Sequence, residues 1–494
     1  MTHLETHISH LFFGGDLVYK IKKDVRFSFL DYSTLGKRRY FLHEELRLNR
    51  RLAPSVYLGV LPISYGPNGW QLASDKNPLE YALVMRRLPE RRMLPFLLET
   101  GQVTPRMMYS LAETLARFHT QAERGEKINL SGHPVAIRKL WDENLADVEP
   151  FGGRLLDSEI FDALQDFGAN FITKKEDLLI RRVREGRIRD LHGDLHCEHI
   201  CFAPEGIQIF DCIEFNPGLR YCDIASEIAF LTMDMEFHGA HELAHDFLTR
   251  YRELMGDREL PLLLPFYQCH RALVRGKVAA LRSDGASAKA RRYFDLAYRF
   301  TWEEFKPFIV LVCGLTGSGK STLARELSRR LGLPVINSDA VRKGLAGTLE
   351  RHEGVPYEEG IYSPSMTERT YAKMAEEAER LILEGEGAIL DATFQRRTHR
   401  ELFLNLAAKN RIPLALIHCQ SSEEVVKERL RKRAKEGRDL SDGRWEIYLV
   451  QKAAFEPFQE IPEEGLFALN TGVPVSRQAH QAESFLFSVL KKRS

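Results

Sequence analysis

No run of 18 or more apolar residues occurs in the chain, so no membrane-spanning helix and no membrane partner are expected. The first residues, MTHLETH, lack a basic stretch followed by an apolar one, so no secretory signal is expected either. Strong charge of one sign is also missing: a formal net charge of +1 argues against binding nucleic acid through bulk charge alone. Cysteine is sparse and odd in number, seven in all, with Cys197, Cys201, Cys212 and Cys222 crowded into 26 positions. That is not the framework of a small secreted disulfide protein, and a reducing cytoplasm is the expected compartment. There is no internal repeat and no low-complexity tract.

What is present is ordinary for a globular protein, 44% hydrophobic and 28% charged, but 494 residues exceed one core and imply several domains. Residues 17–23 alternate apolar and polar as a half-exposed strand does, and 35–51 carry a helical period ended by Ala53-Pro54. Short apolar runs at 58–63 and 80–85 read as further strands. From about 105 onward helical patterns dominate, at 107–120, 157–174, 225–235 and 243–254, interrupted by a β-like insert over 188–215. The expectation is an α+β domain over 1–300, with a small β-rich lobe over about 1–88 and a helical lobe over about 89–300.

A charged and aromatic helical stretch, 289–306, leads to Pro307 and then to a continuous apolar run from Phe308 to Cys313. Such a run fits a central parallel strand buried on both faces. Candidate strands at 334–337, 388–390, 414–419 and 466–469 alternate with helices, so 307–494 should form an α/β domain with a parallel sheet between helices. Of two basic runs, 181–189 reads as the solvated face of a helix or strand, while 427–438 has a better claim to function.

The strongest motif is GLTGSGKS, in which Gly314, Gly317, Ser318, Gly319, Lys320 and Ser321 follow a strand and, with Thr322, open a helix over 322–331. Glycines let backbone N–H groups curl around phosphate oxygens, and the helix N-terminus adds its positive dipole end. Lys320 would reach the β- and γ-phosphates of ATP or GTP, and the Ser321 hydroxyl would ligate magnesium. INSDAVRK ends the next strand. There Asp339 can accept a proton from an attacking hydroxyl and Arg342 can fork onto a substrate phosphate, or the pair is a helix N-cap and a surface arginine. Asp391, ending the strand ILDATF, suits a magnesium-side carboxylate or an ordinary turn. Arg429 and Arg433 lie four apart on a basic helix over 423–435, placed either as a lid over ATP or as a solvated face.

From Gly314 to about Pro457 the sequence resembles the small P-loop kinases that include polynucleotide 5′-hydroxyl kinases, zeta-type toxins and gluconate kinases. The carrying pieces are GLTGSGKS, INSDAVRK, ILDATF and RLRKRAKEGRDLSD. The resemblance implies that Asp339 is a general base, Arg342 an acceptor-phosphate ligand and Arg433 a lid residue on the ATP phosphates. It implies an acceptor such as an RNA or DNA 5′-hydroxyl end, a nucleotide or a small hydroxyl metabolite.

A second constellation, HGDLHCEH over 192–199 followed by Ile209-Phe210-Asp211, also suits phosphoryl transfer. Asp194 can orient or deprotonate an acceptor hydroxyl and Asp211 can hold magnesium. A zinc site from His192, His196, Cys197, His199 and Cys201 is the rival, although the spacing forms no usual knuckle. Upstream, Lys20 would hold the α/β-phosphates and Glu45 would hold the lysine. Lys22 shares its face with Lys20, and Lys20 is preferred because it leaves the smaller Val18 toward the adenine. The first 300 residues thus resemble the aminoglycoside phosphotransferase family, which shares the protein-kinase-like fold. His199 stands where that family has a magnesium-ligating Asn, only Gly14-Gly15 suggests a glycine-rich loop, and Asp223 is a candidate buttress of the catalytic loop. The whole chain reads as two ATP- and magnesium-dependent phosphotransferase modules, with two alternatives: a catalytic P-loop domain joined to a degenerate kinase fold that binds or positions substrate, or a nucleotide-driven switch or interaction protein that turns over ATP without a phosphorylated product.

Overall fold

The alternating segment near the start becomes the middle of an antiparallel sheet. In the computed structural model, which describes residues 2–27, 30–67, 69–73, 77–282, 288–347, 360–436 and 444–491, the chain forms two compact units, Met1–Thr301 and Trp302–Ser494. The first unit opens with strands β1 (Thr2–Glu5), β2 (Ser9–Gly14) and β3 (Leu17–Lys22). Helix α1 (Leu35–Asn49) follows, then β4 (Tyr57–Gly66), β5 (Gly69–Leu72) and β6 (Glu80–Arg86). They pair in the order β1-β2-β3-β6-β4-β5, every neighbour antiparallel. Helix α1 starts where the Thr34 side chain accepts from the Lys37 N–H. It buries Leu42, Glu45 and Asn49 on one face, and Leu42 joins Ala53, Val56, Tyr57, Tyr81 and Leu83 in the lobe's core.

The second lobe of this unit is helical, as its periodicity suggests. Its centre is α2 (Ile224–Phe237), an apolar helix in which every residue except Glu236 is buried. A helix buried all round must be apolar all round, and the two carboxylates it carries inward, Glu227 and Asp234, need partners. Two small hairpin-like pairs sit in this lobe: β7 (Ile188–Asp190) with β10 (Tyr221–Asp223), and β8 (Ile200–Ala203) with β9 (Gly206–Ile209). Among the described residues five helices join those expected from the sequence, the short Leu94–Glu99 and Glu126–Asn129 and the longer Pro134–Val148, Glu176–Arg184 and Leu260–Arg282.

The basic run 181–189 corrects one expectation. Arg182 is buried instead of solvated, its guanidinium donating to Asp223 Oδ1 and Oδ2 at 2.7 and 2.9 Å and to Asp257 Oδ1 and Oδ2 at 2.7 and 2.6 Å. Periodicity cannot distinguish a solvated arginine from one whose two carboxylate partners arrive from 41 and 75 residues away.

The second unit is a parallel sheet between helices. Strands β11 (Ile309–Cys313), β12 (Val335–Asn337), β13 (Ala388–Ala392), β14 (Leu414–Gln420) and β15 (Leu466–Asn470) lie in the order β12-β13-β11-β14-β15, all parallel. The central three strands are nearly pure apolar runs because helices cover both faces. The topology carries the ends of β11, β12 and β13 to one edge, the register setting Val312 beside Asp391 and Asp391 beside Asn337. Among the described residues no helix is long and apolar enough to cross a membrane.

Candidate active sites

In the first unit β3 and α1 place Lys20 and Glu45 side by side. Lys20 Nζ donates to Glu45 Oε1 at 2.6 Å and to Asp211 Oδ1 at 3.2 Å. The two lysines differ in what each faces. Lys22 is buried, donating to Glu45 Oε2 at 2.8 Å, to Glu214 Oε1 at 2.5 Å and to Tyr32 at 3.2 Å, whereas Lys20 alone reaches Asp211. One carboxylate is therefore shared by two ammonium groups. Burial opposes the Lys20 charge, but Asp211, Glu45 and Glu214 outweigh it and hold the ammonium protonated. Lys20 in turn holds the Asp211 carboxyl below its ordinary range. Asp211 has the left-handed backbone conformation, φ 63°, and its N–H donates to the Tyr57 hydroxyl at 3.1 Å.

Asp194 follows Gly193, whose φ is 84°. A Cβ on Gly193 would lie 2.9 Å from the Leu219 carbonyl oxygen, so the loop has room only for glycine. The expected buttress, Asp223, is otherwise engaged: it caps α2 through the Ala225 N–H at 2.8 Å and pairs with Arg182. The loop rests on Glu227, whose Oε2 accepts from the His192 and Gly193 N–H groups, both at 2.8 Å. Seven residues on, Asp234 Oδ2 accepts from the Cys197 N–H at 2.9 Å. Arg51 donates to the Asp190 and Leu191 carbonyls at 2.9 and 2.7 Å, and Asn49 Oδ1 accepts from the Cys212 N–H at 2.9 Å. The sequence did carry a signal for Glu227 and Asp234: two carboxylates seven apart, hence on one face, in a largely apolar helix.

Burial works against charge on Asp194, but His196, His199 and the Arg275 guanidinium outweigh it and keep its carboxyl below the usual range. An ionised, weakly basic carboxylate suits orienting a hydroxyl and taking its proton as the bond to phosphorus forms. The zinc alternative loses its cysteines: Cys197 and Cys201 are buried, and burial raises both thiols, Cys201 to about 11. Among the described residues the metal-capable group is Asp194, His196 and His199, with ligand atoms within 4.8 Å of one another.

In the second unit the phosphate loop has the backbone its glycines predict, with φ 154° at Gly314, 76° at Gly317 and 92° at Gly319. Added Cβ atoms would meet Ser318 Oγ at 2.5 Å, Val426 at 2.9 Å and Arg429 at 3.0 Å respectively. Lys320 opens the helix Lys320–Leu331, followed by Ser321 and an exposed Thr322. Arg429 does not hang over the loop as a free lid group. It is bolted to it, donating to the Gly317 carbonyl at 3.4 Å and to the Thr471 carbonyl and hydroxyl at 2.6 and 3.2 Å. Thr471, missed from the sequence, donates in turn to the Ser318 carbonyl at 2.5 Å. Arg433 belongs to the same helix, Glu423–Glu436, but its side chain lies outside the described residues.

At the neighbouring strand end, Asn337 joins the expected residues into one group. Its amide donates to Asp391 Oδ2 at 2.6 Å, while its Oδ1 accepts from the Asp339 and Ala340 N–H groups, both at 3.0 Å. Asn337, not Asp339, is therefore the helix cap, which leaves the Asp339 carboxylate for other work. Arg342 Nη1 donates to Asp339 Oδ1 at 2.8 Å and its guanidinium lies over the Tyr362 ring at 4.9 Å. Asp391 is buried with Oδ1 unpartnered, and Ser318 Oγ and Arg342 Nε are buried without partners too. An orphaned, buried carboxylate oxygen beside a phosphate loop fits a hard divalent cation such as magnesium.

Comparison with known proteins agrees with this division. Residues 33–260 match the family described as "Phosphotransferase enzyme family", and residues 309–458 match one described as "AAA domain". Uncharacterized proteins of Mycobacterium tuberculosis and Mycobacterium bovis are 32% identical over 436 residues, covering 87% of this chain and 86% of theirs. Among solved structures, a gluconokinase from Sinorhizobium meliloti is 20% identical, with a TM-score of 0.29, over 38% of this chain and 95% of that one. The Mycobacterium tuberculosis APS kinase CysC is 22% identical, with a TM-score of 0.27, over 37% of this chain and 98% of the other.

Proposed function

We propose, from the premise that this chain belongs to the family of those mycobacterial proteins, that it is an ATP-dependent phosphotransferase with two kinase-type sites. The observation that carries the two-site reading is the convergence of Lys20, Glu45 and Asp211, which brings a phosphate-binding lysine and a metal-side carboxylate together across 191 residues. In the C-terminal site the backbone of residues 314–321 and Lys320 bind the β- and γ-phosphates. Asp339, free of the cap, receives the proton of an acceptor hydroxyl. The hydroxyl oxygen forms a bond to the γ-phosphorus as its bond to the β-bridging oxygen breaks, and ADP leaves. Arg342 orients Asp339 and offers its unpartnered Nε to an anionic acceptor, so a nucleotide or a nucleic-acid 5′-hydroxyl end is the favoured class. Magnesium held by Ser321 and Asp391 would neutralise charge developing on the phosphates. The N-terminal site uses Asp194 in the role of Asp339 on a small hydroxyl metabolite. Seven free cysteines support a reducing compartment.

His199 favours one second reading, in which the N-terminal domain binds or positions substrate and only the P-loop domain transfers phosphate. A screen with γ-labelled ATP decides between them, using 5′-hydroxyl RNA and DNA, nucleosides, sugars and aminoglycosides as acceptors. Lys320→Ala should abolish one labelled product. Survival of every product in Lys320→Ala would overturn the C-terminal assignment, and an unchanged product set in Asp194→Ala would favour the second reading.

A further inference from the structure

The histidine that departs from the aminoglycoside phosphotransferase pattern is held as a metal ligand is held. His199 Nδ1 lies 2.8 Å from the Asp194 backbone carbonyl. A carbonyl oxygen only accepts, so Nδ1 carries the hydrogen and Nε2 presents its lone pair. That lone pair faces Asp211 Oδ2 at 3.6 Å. The separation is too long for a hydrogen bond, and a lone pair facing an ionised carboxylate is repulsive. Two ligands each about 2.1 Å from one cation, at a tetrahedral angle, would lie about 3.4 Å apart. An imidazole that gives its other N–H to a backbone carbonyl is also the usual support of a metal-bound histidine.

The neighbouring imidazoles are spent differently. His192 donates from Nε2 to the Phe210 carbonyl at 2.9 Å, and its Nδ1 accepts from the Asp194 N–H at 3.3 Å. His196 Nε2 accepts from Arg275 at 3.1 Å. Only His199 keeps a lone pair toward Asp211.

We propose that the N-terminal site takes a first-row transition cation, Mn2+ or a later metal, in preference to Mg2+, through His199 Nε2 and Asp211. Magnesium is hard and gives up water reluctantly, whereas imidazole binding strengthens along the series from Mn2+ onward. This deepens the reading of Asp211 as the metal-side carboxylate and rests on that reading. The site then differs in cation chemistry from the P-loop site, where Ser321 and Asp391 offer only oxygen.

The test is pulsed electron paramagnetic resonance on the full chain with MnCl2 alone, without nucleotide, together with competition by MgCl2. Bound Mn2+ should show nitrogen modulation from one imidazole and resist displacement by equimolar Mg2+. His199→Asn keeps a donor for the Asp194 carbonyl. It should lose the modulation and weaken Mn2+ binding by about tenfold or more, with little effect on Mg2+. Absence of nitrogen modulation in the native chain, its persistence in His199→Asn, or ready displacement by Mg2+ would overturn the proposal. The two readings fail separately. Loss of a product in Asp194→Ala with no nitrogen signal sinks the cation assignment alone. A nitrogen signal with no product lost sinks the transfer reading alone.

Discussion

At the scale of single residues, the two sites depend on backbone shapes that only glycine adopts without strain. Gly193→Ala would set a Cβ against the Leu219 carbonyl at a φ of 84°. It should cost about 1–3 kcal/mol and displace Asp194, which urea unfolding and loss of the N-terminal product together would register. Gly314→Ala, which drives a Cβ into Ser318 Oγ and the Cys419 carbonyl, should remove the C-terminal site's share of the ATP binding measured by calorimetry while the N-terminal product persists. The phosphate loop was legible in the sequence because its chemistry is contiguous: eight neighbouring residues supply loop, lysine and hydroxyl. Asp194 and Asp211 were legible for the same reason, each being tied to a short local pattern. Glu227 and Asn337 were missed: a carboxylate within an apolar helical stretch marked Glu227, but the backbone groups that both residues bind approach only after folding. Lys20 and Lys22 could not be told apart by alternation, since both point to one face and both reach Glu45.

At the scale of elements, buried ion pairs tie helices together. Removing Arg182 leaves Asp223 and Asp257 buried without their cation, so Arg182→Ala should destabilise the first unit by about 3–5 kcal/mol in urea titration. In the second unit, burial pushes Glu483 up to about 7 against the pull of Arg330, while its unfolded value is about 4.3. Between those values the folded state holds the extra proton, so stability falls as pH rises from about 4.3 to 7 and then levels. Glu483→Gln should remove about 1–3 kcal/mol of that fall, seen by comparing unfolding midpoints at pH 5 and 8. Elements themselves were readable where one period dominated. Strand β3, helix α1 and the five parallel strands fall within a few residues of their patterns. The helix Leu260–Arg282 was harder to read, carrying an internal Pro265, and the helix Glu176–Arg184 hid its buried side behind arginines.

At the scale of the whole molecule, each unit has its own candidate phosphate-handling groups, so on the two-site reading proposed above the two activities should separate by mutation. Asp339→Ala and Asp194→Ala are expected to remove different labelled products, each by at least about a hundredfold, as loss of a general base does. The double variant should retain neither. The cluster around Lys20 adds a requirement on the first of these products. Two ammonium groups, Lys20 and Lys22, stand against three carboxylates, Glu45, Asp211 and Glu214, with ionised Asp194 nearby. With the Arg275 guanidinium beside Asp194 counted, four carboxylates stand against three cations, so the cluster is anionic on balance and a bare triphosphate would be disfavoured there. On the two-site reading nucleotide would enter escorted by its counter-ion, so binding there should vanish in a chelator and return when divalent cation is restored.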